Sequence, residues 1–91
     1  MKLEELYEII RKRRDEKPKG SYVANLIRSG LDRVIQKVGE EAIEVVIAAK
    51  NIDKKRVISE SADLIFHLLI LLEQFDVNIN DITNELKTRN S

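Results

Sequence analysis

Two neighbouring segments constrain this chain more than anything else in it. Leu31 to Lys50 and Lys54 to about Phe75 carry apolar side chains at helical spacing round most of their circumference, leaving each a single narrow charged strip. On the first, Val34, Val38, Ala42, Val45 and Ala49 form an apolar stripe and Ile43 and Ile47 lie well round from it. Lys37, Glu40, Glu41 and Glu44 fill the gap between them. On the second, Val57, Leu64, Ile65, Phe66, Leu68, Leu69 and Leu72 cover nearly everything outside a strip of Arg56, Glu60, Asp63, His67 and Gln74. The connection Asn51-Ile52-Asp53 is brief enough to make the two helices antiparallel neighbours, so their acidic strips can meet.

The rest of the chain offers little to cover them. Leu3, Leu6, Tyr7, Ile9 and Ile10 predict an amphipathic first helix ending in the basic cluster Arg11-Lys12-Arg13-Arg14. Lys17-Pro18-Lys19-Gly20 breaks it. Ser21 is placed to cap a short helix, Tyr22 to Arg28, which Ser29-Gly30 ends. A last short helix is expected over about Asp81 to Thr88, with Ile82 and Leu86. One all-α domain over residues 1–91 is therefore expected. Chains of this size bury only roughly 60 to 65% of their unfolded surface. A homodimer follows as the expected supplement, its four long helices forming a bundle with equivalent acidic strips in two sites.

Within a helix, residues three apart share a face, so Glu41 pairs with Glu44 and Glu60 with Asp63. Like charges so placed cost an isolated helix a few tenths of a kcal/mol per pair, so helix propensity gives no reason for them. A cation does. Oxygen-only ligands, with no cysteine and one histidine in the chain, suit Mg²⁺, with Mn²⁺ close behind, rather than zinc. Di-iron bundles use Glu-x-x-His pairs, whereas His67 follows Asp63 at four residues and has no second histidine beside it, which makes iron the weaker choice. Against this stands the ordinary reading of glutamates as surface charges on amphipathic helices. The conjunction of two pairs, each on the only polar strip of its helix, favours the metal.

Composition removes other classes. Sixteen basic and sixteen acidic side chains cancel, so nothing asks for a nucleic-acid polyanion or an acidic membrane. The absence of cysteine excludes disulfides and thiolate metal sites. Glu4 and Glu5 stand where an export signal would be apolar, and the longest apolar run, Leu64 to Leu72 broken by His67, is far short of the ~20 residues of a membrane span. The expected location is cytoplasmic.

Glu-Glu-x-x-Glu followed by Glu-x-x-Asp resembles the all-α, MazG-like nucleoside triphosphate pyrophosphatase superfamily. Within it, Ser21-Tyr22, Gly30, the block from Gln36 to Glu44 and the block from Glu60 to Leu69 resemble the phosphoribosyl-ATP pyrophosphatase family over about Leu6 to Arg89. Val23 departs from it, standing where the family usually shows threonine. The resemblance implies cleavage of phosphoribosyl-ATP at its α,β-phosphoanhydride to phosphoribosyl-AMP and pyrophosphate, the second step of histidine biosynthesis. It implies Glu41, Glu44, Glu60 and Asp63 as metal ligands; Glu40 matches the first acid of the block and is read either as orienting or activating water or as pairing with Lys37 or Lys50 on the helix. Lys37, Arg13 and Arg89 match basic positions expected to meet substrate phosphates. It also implies a stand-alone enzyme, with phosphoribosyl-AMP cyclohydrolase as a separate downstream partner.

The residues agree on direct attack by water at the metal, since the chain has no good nucleophile for a covalent route. Tyr22 is a candidate to stack on the purine or to pack, and His67 a candidate for the site or for the core. Two other readings stay open. A housekeeping pyrophosphatase of nucleoside triphosphates would use the same acids with a different pocket. A non-enzymatic dimerisation module would leave the acids on the polar strips without a reason.

Overall fold

The computed structural model describes residues 1–89. Among these it contains five helices and no strand: α1 (Leu3–Glu16), α2 (Tyr22–Arg28), α3 (Leu31–Lys50), α4 (Lys54–Gln74) and α5 (Ile79–Thr88). The all-α expectation holds. So do the bounds of α2 and α3, which local chemistry fixes. Ser21 accepts from the Ala24 amide at 3.2 Å, and Gly30 leads into α3 at φ 100°, a conformation that a side chain would strain. Asp53 caps α4 by accepting from the Arg56 amide at 3.2 Å.

The last helix begins two residues before the expected Asp81. Asn78 is the cap, its side chain accepting from the Asp81 amide while the Asp81 carboxylate accepts from the Asn78 amide, both at 3.0 Å. Asp81 is thus the third residue of this helix, and the reciprocal pair satisfies two otherwise orphaned donors.

The core lies at one end of the α3–α4 hairpin, where Tyr7 and Ile10 of α1, Val23 and Leu26 of α2, Val34 of α3, Leu69 and Ile70 of α4 and Ile79 of α5 meet. Tyr7 donates its hydroxyl to the Val77 carbonyl, and Arg14 reaches the buried Glu73, so α1 is pinned to the end of α4 by polar bonds as well as packing. Beyond this core the hairpin runs on with only its own two helices in contact. Ile43, Val46 and Ile58 are about 60% exposed there.

One expectation about α3 is corrected. Ala48 rather than Ala49 is buried, because the face turned to α4 runs through Val34, Glu41 and Ala48. These recur every seven residues, the repeat that keeps one seam of a helix against a neighbour. Glu41 therefore sits in line with two fully buried side chains rather than at the edge of a polar strip.

Candidate metal and phosphate site

That placement carries Glu41 against α4, where Glu60 and Asp63 rise from a face one helical turn long. One carboxylate oxygen from each of the three lies within 4.8 Å of the others. Glu41 and Glu60 keep only 13% and 19% of their side chains in water, whereas Asp63 opens to solvent. Metal–oxygen bonds of about 2.0–2.1 Å put adjacent ligands of one octahedral Mg²⁺ roughly 3 Å apart and opposed ones roughly 4 Å, so side-chain rotation that draws the three oxygens together would suit such an ion. All-oxygen chemistry fits a hard divalent cation and not zinc or a thiophilic metal.

The fourth expected ligand, Glu44, stands outside this trio. Arg56 Nη2 lies 3.5 Å from Glu44 and 3.6 Å from Glu60, bridging α3 and α4 beside the cluster. Glu40 is turned away as well, within 3.4 Å of Arg33, accepting from Gln36 at 3.0 Å and 3.8 Å from Lys37. The geometry thus gives Glu40 the helix-surface partners of an ordinary salt bridge.

Lys37 lies 3.3 Å from Glu41 and is four-fifths buried. Burial pulls its ammonium pKa down, but the hydrogen bond to Glu41 and the electrostatic influence of Tyr22, Glu41 and Glu40 outweigh this, leaving it above its ordinary value. It remains a cation beside the acids.

His67 belongs to both core and site. It is 6% exposed, its Nε2 lies 2.7 Å from the Tyr22 hydroxyl, and its Nδ1 lies 2.7 Å from the carbonyl oxygen of Asp63. A carbonyl can only accept, so Nδ1 carries the proton and Nε2 accepts from Tyr22. Through this ring α2 is joined to the backbone of a candidate ligand. Tyr22 also stacks on Phe66, with ring centroids 6.2 Å apart, while staying half exposed.

The remaining basic candidates are not gathered here. Arg89 pairs with Glu85 at 3.3 Å, one turn back on α5. On α1 it is Arg14, not Arg13, that reaches Glu73, and its bond to Asp15, together with that to Glu73, raises its pKa. Arg56 was legible as part of the polar strip, and its spacing of four from Glu60 was the available sign of its contact with the cluster.

The family model described as phosphoribosyl-ATP pyrophosphohydrolase matches residues 3–90. A phosphoribosyl-ATP pyrophosphatase of Leptospira biflexa is 50% identical over 91 residues, covering the whole chain and 96% of the relative. One of Metallosphaera sedula is 48% identical over 87 residues, covering 96% of this chain and 94% of the relative. The chain also matches 43% of the length of the histidine biosynthesis bifunctional protein HisIE of Bacillus subtilis, at 45% identity over 89 residues.

Proposed function

Since the chain belongs to the phosphoribosyl-ATP pyrophosphohydrolase family, we propose that Glu41, Glu60 and Asp63 form its metal-binding centre, with Glu44 as a fourth acid recruited from beside them. The activity is hydrolysis of phosphoribosyl-ATP with release of pyrophosphate, in histidine biosynthesis. The observation that carries the assignment is the convergence of three carboxylate oxygens, from two helices, within 4.8 Å of one another.

A divalent ion held there, Mg²⁺ or Mn²⁺, supplies charge neutralisation to the phosphoanhydride oxygens and lowers the pKa of water. The chain's own residues do the rest. Lys37, kept charged by Glu41, offers ammonium protons to a phosphate oxygen at the Tyr22 end of the site. His67 holds the Tyr22 ring with one nitrogen and the Asp63 backbone with the other, fixing the wall against which a base or ribose would lie. Arg13 and Arg89 would serve phosphates only if substrate brings them closer.

The enzyme acts as a homodimer on this reading, because Ile43, Val46, Ile58 and Phe75 stay 60% or more exposed within one copy. A cyclohydrolase that consumes the product is the functional partner on this reading, which the match to bifunctional histidine-biosynthesis proteins supports. The test compares hydrolysis of phosphoribosyl-ATP, ATP and dUTP by purified protein, with Mg²⁺ and with excess chelator. Turnover of phosphoribosyl-ATP that chelator abolishes is the expected result. Preference for ATP or dUTP would transfer the assignment to a housekeeping pyrophosphatase, and full turnover in chelator would end the metal reading.

A further inference from the structure

Two cations flank the acidic cluster, and they are held differently. Lys37 is largely buried and bound within its own helix to Glu41 and Glu40. Arg56 has 45% of its side chain in water and spans the helices, at 3.5 Å from Glu44 and 3.6 Å from Glu60. These are long separations for a guanidinium and a carboxylate, which bond at about 2.7–2.9 Å when firmly paired. Its backbone is the opposite case. The Arg56 amide is fixed by the Asp53 cap in the first turn of α4, so the base of the side chain is anchored while its head is loosely engaged.

We propose that Arg56 is an exchangeable counter-ion: it holds Glu44 and Glu60 in the metal-free protein, yields them to the divalent cation, and then binds phosphate oxygens of the substrate. The proposal rests on the reading of Glu41, Glu60 and Asp63 as the metal centre. Its physics is charge and the geometry of the guanidinium donors. A divalent ion among these carboxylates repels a guanidinium held only weakly on one of them, and a polyphosphate entering on that ion presents the oxygens that a planar, five-donor fork fits best. Release of Arg56 would also free Glu44, which explains why a fourth acid on the same helical face stands apart from the trio.

Mn²⁺ affinity measured by electron paramagnetic resonance without substrate, and KM and kcat in saturating Mg²⁺, test this on wild type, R56Q, R56K and E60Q. R56Q should bind Mn²⁺ roughly fivefold more tightly, since a like charge about 4 Å away is gone, yet raise KM by roughly tenfold or more. R56K keeps the charge without the fork, so its Mn²⁺ affinity should stay within about twofold of wild type while KM rises. A plain clamp between α3 and α4 would move neither quantity in opposite directions. Unchanged or weaker Mn²⁺ binding by R56Q, or an unchanged KM, overturns the proposal. If E60Q has lost Mn²⁺ when that happens, the metal centre stands and only the role of Arg56 falls. If E60Q binds Mn²⁺ like wild type, both fall together.

Discussion

Glu44 carries the sharpest test at the scale of single residues. It lies outside the trio, yet shares a helical face with Glu41 and, among the described residues, pairs with Arg56 alone. Glu44→Gln keeps size and helix propensity while removing a charged oxygen, so turnover in saturating Mg²⁺ should fall by roughly tenfold or more if the acid is recruited. Stability should shift by no more than ~0.5 kcal/mol, because loss of the exposed pair with Arg56 offsets the relief of like charge beside Glu40 and Glu41. Near-normal turnover with an unchanged melting temperature would return Glu44 to the helix surface. Lys37 gives a prediction in pH. Its folded pKa lies above 10.5, so the stability it contributes is complete below pH 10.5 and is lost as pH rises through the folded value. The melting temperatures of wild type and Lys37→Met should therefore keep a constant difference from pH 6 to 9, with wild type losing ground above about pH 10.5. A difference already drifting between pH 6 and 9 would mean that another group titrates with Lys37. At this scale the sequence identified the acids by their conjunction but could not separate Glu41 from Glu44. Residues three apart share a face, and only the roll of the helix against its neighbour decides which of them turns inward. His67 was ambiguous for a related reason, since a ring with two nitrogens can serve the core with one and the site's edge with the other.

Elements were most legible where a local device ends them. Ser21, Gly30 and Asp53 each act through the backbone within three or four residues, so the bounds they set could be read without knowing the fold. The start of α5 was misplaced because Asp81 suits both a cap and the third position of a capping box, and the residue before it in the motif, Asn78, decides between them. Asn78→Ala should cost about 1 kcal/mol in chemical denaturation without changing turnover, and a cost near zero would mean that α5 is held by packing alone. The roll of α3 was less legible. At its C-terminal end the seven-residue seam parts from the wider apolar stripe as Ala48 against Ala49, two alanines that no hydrophobic pattern can rank. Glu73 gave no signal at all, because a glutamate buried by a partner from another helix looks in sequence like any surface acid. Its pairing with Arg14 joins α1 to α4, and Glu73→Ala should destabilise by about 1–2 kcal/mol. That is less than for a fully buried pair, since Arg14 keeps 36% of its side chain in water.

The whole molecule is lopsided, with its core gathered at one end and the hairpin running beyond it. Leu3, Ile65, Leu68, Leu69, Leu72, Ile79 and Ile82 line a wholly apolar groove of about 140 Å³ along α4, and Leu68 is 39% exposed on its edge. A second copy is the expected cover, so the protein should sediment as a dimer or larger assembly when dilute, and Leu68→Glu should shift it toward monomer with loss of stability. A folded, active monomer of the wild type would refute the bundle. The surplus of apolar surface was legible from the sequence, whereas the faces left bare depend on where α1 and α5 lie. The turn between α3 and α4 has a different kind of consequence. Ile52 sits at φ 52° with 91% of its surface in water, so a β-branched side chain holds a left-handed backbone and gains almost no burial in return. Asparagine tolerates that conformation, and Ile52→Asn should raise stability by about 1 kcal/mol with turnover unaltered. Lying far from α5, it should add to changes there and restore most of the melting temperature lost in Asn78→Ala. A residue chosen so poorly for its place is a global suppressor waiting one substitution away, and it widens the range of mutations a lineage carrying this chain can survive.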